Sequence, residues 1–382
     1  MSKRLLFVGV SSMQNHAGQN KLYFLADELG RMGVPVTVLV PDIEENRAFF
    51  SDKPHVQARL YRGGNALADA WHKARVAREP TWSAIWIVGV GIRSYIARVS
   101  TARSAPIIKD FDEFPSMIGT FGPLRRAYLR WMEDRMVEQA QAFTCASAFI
   151  EQSIRTRRPD IGSHLLRLPV AICADEHRID PNLVERLRRA AAGRPVLLYV
   201  GSVSRIYEDQ LDEIIKLAGV LRRRASPALV RIAGTGADME YFKARAAAAG
   251  VGDTLEFAGH VRRKGDLAAH MDAAQVLIFP FPANAFNISR CPTKAFHYAA
   301  ANRPVVTNMT GEVATLFRNS ALYYPEHDIE ALADRCHEAL EHISGYDNRI
   351  PFSTLTWEAR ARQFISWLAA HQWLPAGSNA PA

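Results

Sequence analysis

Residues 276–306, VLIFPFPANAFNISRCPTKAFHYAAANRPVV, hold the pattern with the most chemistry in it. An apolar run stops at Pro280, a polar loop with Asn284 and Asn287 follows, and a helix opens near Pro292. Proline suits a first helical position because it has no N–H to leave unpaired. Asn302 stands where a left-handed cap ends that helix, and Pro304-Val-Val begins the next buried strand. Thr293 and Lys294 then fall in the first turn, where backbone amides, the helix dipole and one ammonium together offer an anion site, most often for phosphate. His297 lies three residues past Lys294 on the same face and, when neutral, accepts one hydrogen bond. An ordinary packing helix with a surface lysine fits the same residues.

Other groups sit where strands are expected to end. Gly201-Ser202, with Arg205 beyond, follows the apolar run 196–200, and a glycine and an arginine there are well placed for a ligand, which in such sheets binds outside the strand ends. Gly234-Thr-Gly236 follows the run 229–233, and Glu312 follows the run 305–307. Near the N-terminus, His16, Gly18 and Gln19 lead from the first expected strand into the first helix, where a glycine lets amides approach a ligand. Asp110, Asp112 and Glu113 are three carboxylates within four residues, and they must be solvated or paired to coexist. A carboxylate so placed, Asp112 or Glu113, can act as a general base. A metal-binding Asp-x-Asp, or pairing with Arg125 or Arg126, accounts for the same cluster.

The elements that must position these groups alternate, short apolar run against helical pattern, through two successive blocks. Such alternation is the mark of parallel sheets wound with helices, an α/β fold of two Rossmann-like domains. The first block offers strands at 5–10, 36–40, 85–88, 107–109 and 142–145, with a helix over 20–32. The second offers strands at 196–200, 229–233, 255–257, 276–279, 305–307 and 322–324, with helices over 209–223, 239–249 and 267–271. The pattern divides the chain into 1–172, 173–355, and a crossover helix with tail over 356–382.

Composition bounds the partners. The chain has 382 residues, 48% apolar and 23% charged, and a formal net charge of +8. No apolar run is long enough to span a bilayer. The four cysteines, at 145, 173, 291 and 336, lack metal-ligand spacing, which fits reduced thiols in a cytoplasmic protein with no metal. No aromatic-studded basic strand suggests nucleic acid, so a polyanionic substrate or an anionic lipid surface suits the charge better, and a solvated surface suits it equally. The segment 123–133 mixes arginines with aromatics at helical spacing: it fits peripheral contact with an anionic membrane, or an amphipathic helix facing the core.

The segment 292–306 resembles the donor-binding segment of nucleotide-sugar glycosyltransferases of the two-Rossmann-domain (GT-B) type, near the retaining glycosyltransferase family four (group 1). The form there is Pro-x-Lys-x-x-Glu-Tyr-x-Ala-x-Gly-x-Pro-Val-Val, and Pro292, Lys294, Tyr298, Ala300, Pro304, Val305 and Val306 match it. His297 replaces the glutamate that usually holds the ribose, and Asn302 replaces the glycine. The resemblance implies two domains facing across a cleft, a donor site in the second and an acceptor site in the first. It implies transfer of a sugar from a UDP- or GDP-sugar to a carbohydrate, lipid-linked or other hydroxyl acceptor, retaining and without a metal, in glycan, polysaccharide or glycolipid synthesis. Lys294 and Arg205 would neutralise the leaving diphosphate. Gly201, Ser202, Gly234, Gly236, Thr293, His297 and Glu312 would line the donor, while His16, Gly18, Gln19, Asp112 and Glu113 would face donor or acceptor. Two alternatives use the same fold: a nucleotide-sugar 2-epimerase, and a non-catalytic binding or assembly subunit that lost the glutamate. A nicotinamide dehydrogenase lacks its glycine fingerprint here.

Overall fold

The computed structural model describes residues 3–10, 19–91, 94, 105–259, 261 and 265–378. The chain forms two compact units. One comprises Met1–Ala171, Ser289–Cys291 and Thr356–Ala382, and the other Ile172–Ile288 and Pro292–Leu355. The junction thus lies one residue before the position read from the sequence. Ser289–Cys291 groups with the first unit although it sits inside the expected second domain.

In the first unit, β1 (Arg4–Val8), β2 (Val36–Pro41), β3 (Val56–Tyr61), β4 (Trp82–Ile87), β5 (Ile107–Phe111), β6 (Ala142–Cys145) and β7 (Leu165–Arg167) form one sheet in the order β3-β2-β1-β4-β5-β6-β7. Every neighbouring pair is parallel. Central strands such as β2 and β6 are buried along their whole length, because crossover helices cover both faces of a parallel sheet. The sequence pattern misses β3 and β7. The first is an edge strand with a half-exposed middle, and the second has only three residues, so neither shows an apolar run.

The helix Trp357–Ala370 completes this unit. Thr356 caps its start, accepting from the Ala359 N–H. Phe364 meets Phe7 of β1 and Trp86 of β4 with ring centroids 6.2 and 6.1 Å away. Trp357 stacks on Phe24 of the helix Gln19–Arg31 at 5.9 Å. The expectation that the last helix returns to the first domain is met.

In the second unit, β8 (Val196–Val200), β9 (Leu229–Ala233), β10 (Leu255–Gly259), β11 (Val276–Phe279), β12 (Val305–Thr307) and β13 (Leu322–Tyr323) form a parallel sheet in the order β10-β9-β8-β11-β12-β13. The helices Glu208–Arg223, Met239–Ala248 and Asp266–Ala273 fall where the periodicity places them. Leu211, Ile214 and Ala218 of the first pack with Val230, Ile232 and Ile278 of the sheet. The order reverses between β8 and β11, so their carboxyl ends diverge into a switch point, where ligands of such sheets bind.

All seven tryptophans lie in the first unit, so their fluorescence follows that unit alone. Phe364→Ala leaves a void against Phe7 and Trp86 and should destabilise the first unit by about 3–5 kcal/mol. Urea titration followed by tryptophan fluorescence should show the transition move to lower denaturant.

Candidate functional site

The second unit's site is built at the ends of β8 and β11. The helix Thr293–Ala301 reaches it through Tyr298, whose hydroxyl accepts the Val200 N–H at 2.8 Å and donates to the Ile278 carbonyl at 3.4 Å. One buried phenol therefore fixes the helix against both strands. Lys294 stands one turn earlier on the same face. Its Nζ lies 3.7 Å from the Tyr199 ring centroid and 4.7 Å from that of Phe279, so two aromatic faces hold the ammonium over the switch point. Gly201 leaves room beneath it. A Cβ there would fall 2.7 Å from Lys294 Nζ and 3.0 Å from the Tyr199 hydroxyl, which itself donates to Gln210 at 3.2 Å.

The helix start differs from expectation in one detail. Pro292 is the cap residue, with extended backbone angles and no side-chain capping bond of its own, and Thr293 is the first helical residue. Asn302 closes the helix in the left-handed conformation (φ 50°, ψ 46°), and its side-chain Oδ1 accepts the Asn348 N–H.

The remaining candidates divide by what they touch. Gly234 and Gly236 face the backbone of the β8 loop: a Cβ would come within 1.9 Å of the Gly201 oxygen at the first and 2.0 Å of the Val203 oxygen at the second. Those contacts accompany hydrogen bonds from Gly201 N–H to Ala233 and from Val203 N–H to Thr235. The pair thus shapes the loop carrying Gly201 and Ser202. Arg205 is fully exposed and stacks on Tyr241, 4.3 Å from its centroid, while its backbone N–H donates to Asp238. Glu312 is buried in the first turn of the helix Gly311–Phe317.

His297 bonds through Nδ1 to His177 Nε2 at 3.0 Å, and the two rings stack at 5.2 Å. Burial, and secondarily the neighbouring His177, push His297 down to about 3; burial pushes His177 down to about 4. Both imidazoles are therefore neutral near pH 7, one donating to the other. His177 is not legible as part of this site, because it lies 120 residues away in sequence.

In the first unit, β5 ends in the carboxylate cluster. Lys21, fully buried on the helix Gln19–Arg31, donates to Asp110 at 2.8 Å and to Asp112 at 3.2 Å. Thr144 also donates to Asp110, and Trp86 donates to Thr144 at 2.9 Å. Lys109, buried beside them, donates to the Ile87 and Gly89 carbonyls. The partner of the cluster is thus Lys21, where the sequence suggested Arg125 or Arg126. Burial pushes Asp112 up to about 7, against the pull of Lys21 and with the Asp110 charge adding to the rise. Burial also raises Glu113, opposed by Arg290. His16 and Gly18 lie outside the described residues, as does the side chain of Gln19. Among the described residues, no group of three or more His, Cys, Asp or Glu is arranged to hold a metal ion, and no helix is long and apolar enough to cross a membrane.

Fold and site define a class, and the comparisons place it. Residues 194–342 match the family described as Glycosyl transferases group 1. Sucrose-phosphate synthase from Thermosynechococcus elongatus superposes with a TM-score of 0.77 at 15% identity, over 97% of this chain and 99% of that one. Anabaena HepE (Alr3699), solved with UDP and glucose, gives 0.73 at 13%, over 96% and 100%. A glycosyltransferase from Rickettsia africae gives 0.68 at 12%, over 97% of each. At such identities the structural likeness speaks for the fold. No curated protein matches the sequence. The second unit contains a group 1 glycosyltransferase domain, and the chain is a glycosyltransferase enzyme of the GT-B fold.

The histidine pair has a pH signature. Unfolded, each imidazole takes up a proton near about 6.5; folded, each does so only near the lower values above. The unfolded chain binds more protons in that interval, so the pair's stability is intact above about 6.5 and is lost as pH falls toward about 4. Calorimetric melts at about pH 7 and 5.5 should show the wild type losing more stability than His177→Gln/His297→Gln.

Proposed function

We propose that this enzyme transfers a sugar from a nucleoside-diphosphate donor, held by the second unit, to an acceptor hydroxyl met by the first. The observation that carries the reading is the ammonium of Lys294, in the first turn of its helix and poised over the ends of β8 and β11. Expelling a diphosphate while an oxocarbenium-like sugar forms requires positive charge fixed in advance where negative charge grows. A cation and helix amides supply it without reorganisation. Lys294 takes that role, and this charge fits a metal-independent reaction. Arg205 would have to leave Tyr241 to assist.

UDP- or GDP-sugars are the donor class we assign; the HepE structures hold UDP, glucose and UDP-glucose, which supports the first. Gly201, Ser202 and Thr293 would line the diphosphate, with Gly234 and Gly236 setting the loop's path. Ribose or sugar would meet Glu312 and the His297 Nε2, the ring nitrogen not committed to His177. On the first unit, Asp112 is the acceptor-contacting base. Its side chain is 17% exposed and its affinity for protons is poised near neutrality. Glu113, and His16, Gly18 and Gln19 in their loop, would assist at that end. The segment likeness to family four supports retention of anomeric configuration, a cytoplasmic setting, and a place in glycan or glycolipid synthesis.

Thermal shift with a panel of nucleotide sugars tests the donor site. A true donor at a hundredfold its Kd should stabilise the fold by about 2.7 kcal/mol, and Lys294→Ala should abolish most of that shift. Initial-rate assays should show Lys294→Ala lowering kcat/KM by about 10²–10³-fold. Absence of any shift with uridine and guanosine compounds, or unchanged transfer by Lys294→Ala, would end the reading.

A further inference from the structure

The helix Pro123–Gln139 meets the core of the first unit through Leu129, Met132 and Met136. On another face Arg126, Arg130 and Glu133 follow one another at i, i+4 and i+7, so their side chains share one stripe. Together with Ser116, Met117 and Arg157, that stripe lines a cavity of about 250 Å³. Every lining residue belongs to the first unit, and none is among those assigned above to donor or acceptor.

The charge around this cavity is not balanced. Residues 119–132 contain three arginines, at 125, 126 and 130, and no acid. Among the described residues, which include every Asp and Glu of the chain, no ion pair is found for Arg126 or Arg130. The cavity's own carboxylate is committed elsewhere: Glu133 accepts from the Ser116 N–H at 2.9 Å and from its hydroxyl at 2.6 Å. Arg157 lies over the Phe114 ring, 5.2 Å from its centroid. Its Nη1 is buried and makes no hydrogen bond, although an Asp134 oxygen is 3.1 Å away. A buried donor without an acceptor is costly and calls for a partner the chain does not supply.

Three guanidinium groups around one space suit an oxyanion, and the planar fork of arginine matches phosphate oxygens two at a time. The volume falls just below the roughly 300–1,000 Å³ of pockets for drug-sized ligands, so it suits a small molecule. We propose that Arg126, Arg130 and Arg157 bind a small phosphomonoester, its phosphate among the guanidinium groups and its carbon body against Met117. The bound ester would tie the helix Pro123–Gln139 to Arg157, the last residue of the helix Ala148–Arg157. The proposal does not depend on which sugar is transferred, or on whether one is.

Isothermal titration calorimetry on the full chain tests it, with inorganic phosphate, glycerol 3-phosphate and ribose 5-phosphate as probes. Both esters should bind more tightly than inorganic phosphate, and ribose without a phosphate should not bind. Arg126→Ala/Arg130→Ala should weaken the esters by on the order of a hundredfold. Arg125→Ala removes a like charge from another face of the helix, and Lys294→Ala removes one from the second unit; both should leave this affinity unchanged. The three arginines on the helix are exposed, so tryptophan-detected melting should show that their variants stay folded. Absence of ester binding, or equal weakening by Arg125→Ala, would overturn the proposal. So would loss of binding in Lys294→Ala, which puts the ester at the other unit's ammonium. Binding of dihexanoyl phosphatidic acid but of neither ester would also overturn it, by making the cavity a lipid headgroup site.

Discussion

Tyr298 joins three elements through one oxygen, and the geometry at the ends of β8 and β11 depends on it. Its hydroxyl takes the last N–H of β8 and gives its proton to a carbonyl of β11, the two strands between which the sheet order reverses. Both partners are backbone groups that a switch point leaves without a neighbouring strand, and a buried group left so is costly. The helix is thereby held at one depth and one rotation, and a residue four positions earlier must lie above the same strand ends. Lys294 occupies that position. The rings of Tyr199 and Phe279 then flank its ammonium, and the bare backbone of Gly201 leaves room beside it.

The first unit solves a different electrostatic problem. Three carboxylates close to one strand end cannot all be charged and dry, and Lys21 relieves the conflict by reaching Asp110 and Asp112 together. A lysine so buried is itself stable only because two acceptors meet it. The arrangement is asymmetric. Asp110 also takes the Thr144 hydroxyl, while Asp112 keeps part of its side chain toward solvent. Asp110 is thus held by two side chains and Asp112, among the described residues, through Lys21.

Much of this was legible in the sequence because its signals are local. The run 276–279, the helix from Thr293 and the cap at Asn302 each rest on residues a few positions apart, and periodicity or cap chemistry reveals such elements. Edge strand β3 lacked a continuous apolar run and was lost. The site partners were hidden for another reason. His177 with His297, and Lys21 with Asp112, are joined by topology across 120 and 91 residues. Lys21 carried one readable clue: it lies four and eight positions before Leu25 and Leu29, on the stripe that helix buries. Glycines were legible as turns but not as contacts, since Gly234 and Gly236 are set by a neighbouring loop that their own sequence does not describe.

The path of the chain has a consequence for biogenesis. Phe364 and Trp357 fill the centre of the first unit, yet ribosomes make them after every residue of the second. Domains commonly mature in the order of synthesis. Here the later unit is the first to have all its parts, and the N-terminal sheet waits, one aromatic face uncovered, until the closing helix emerges. Chaperone demand during translation should therefore fall on the half of the molecule that was made first.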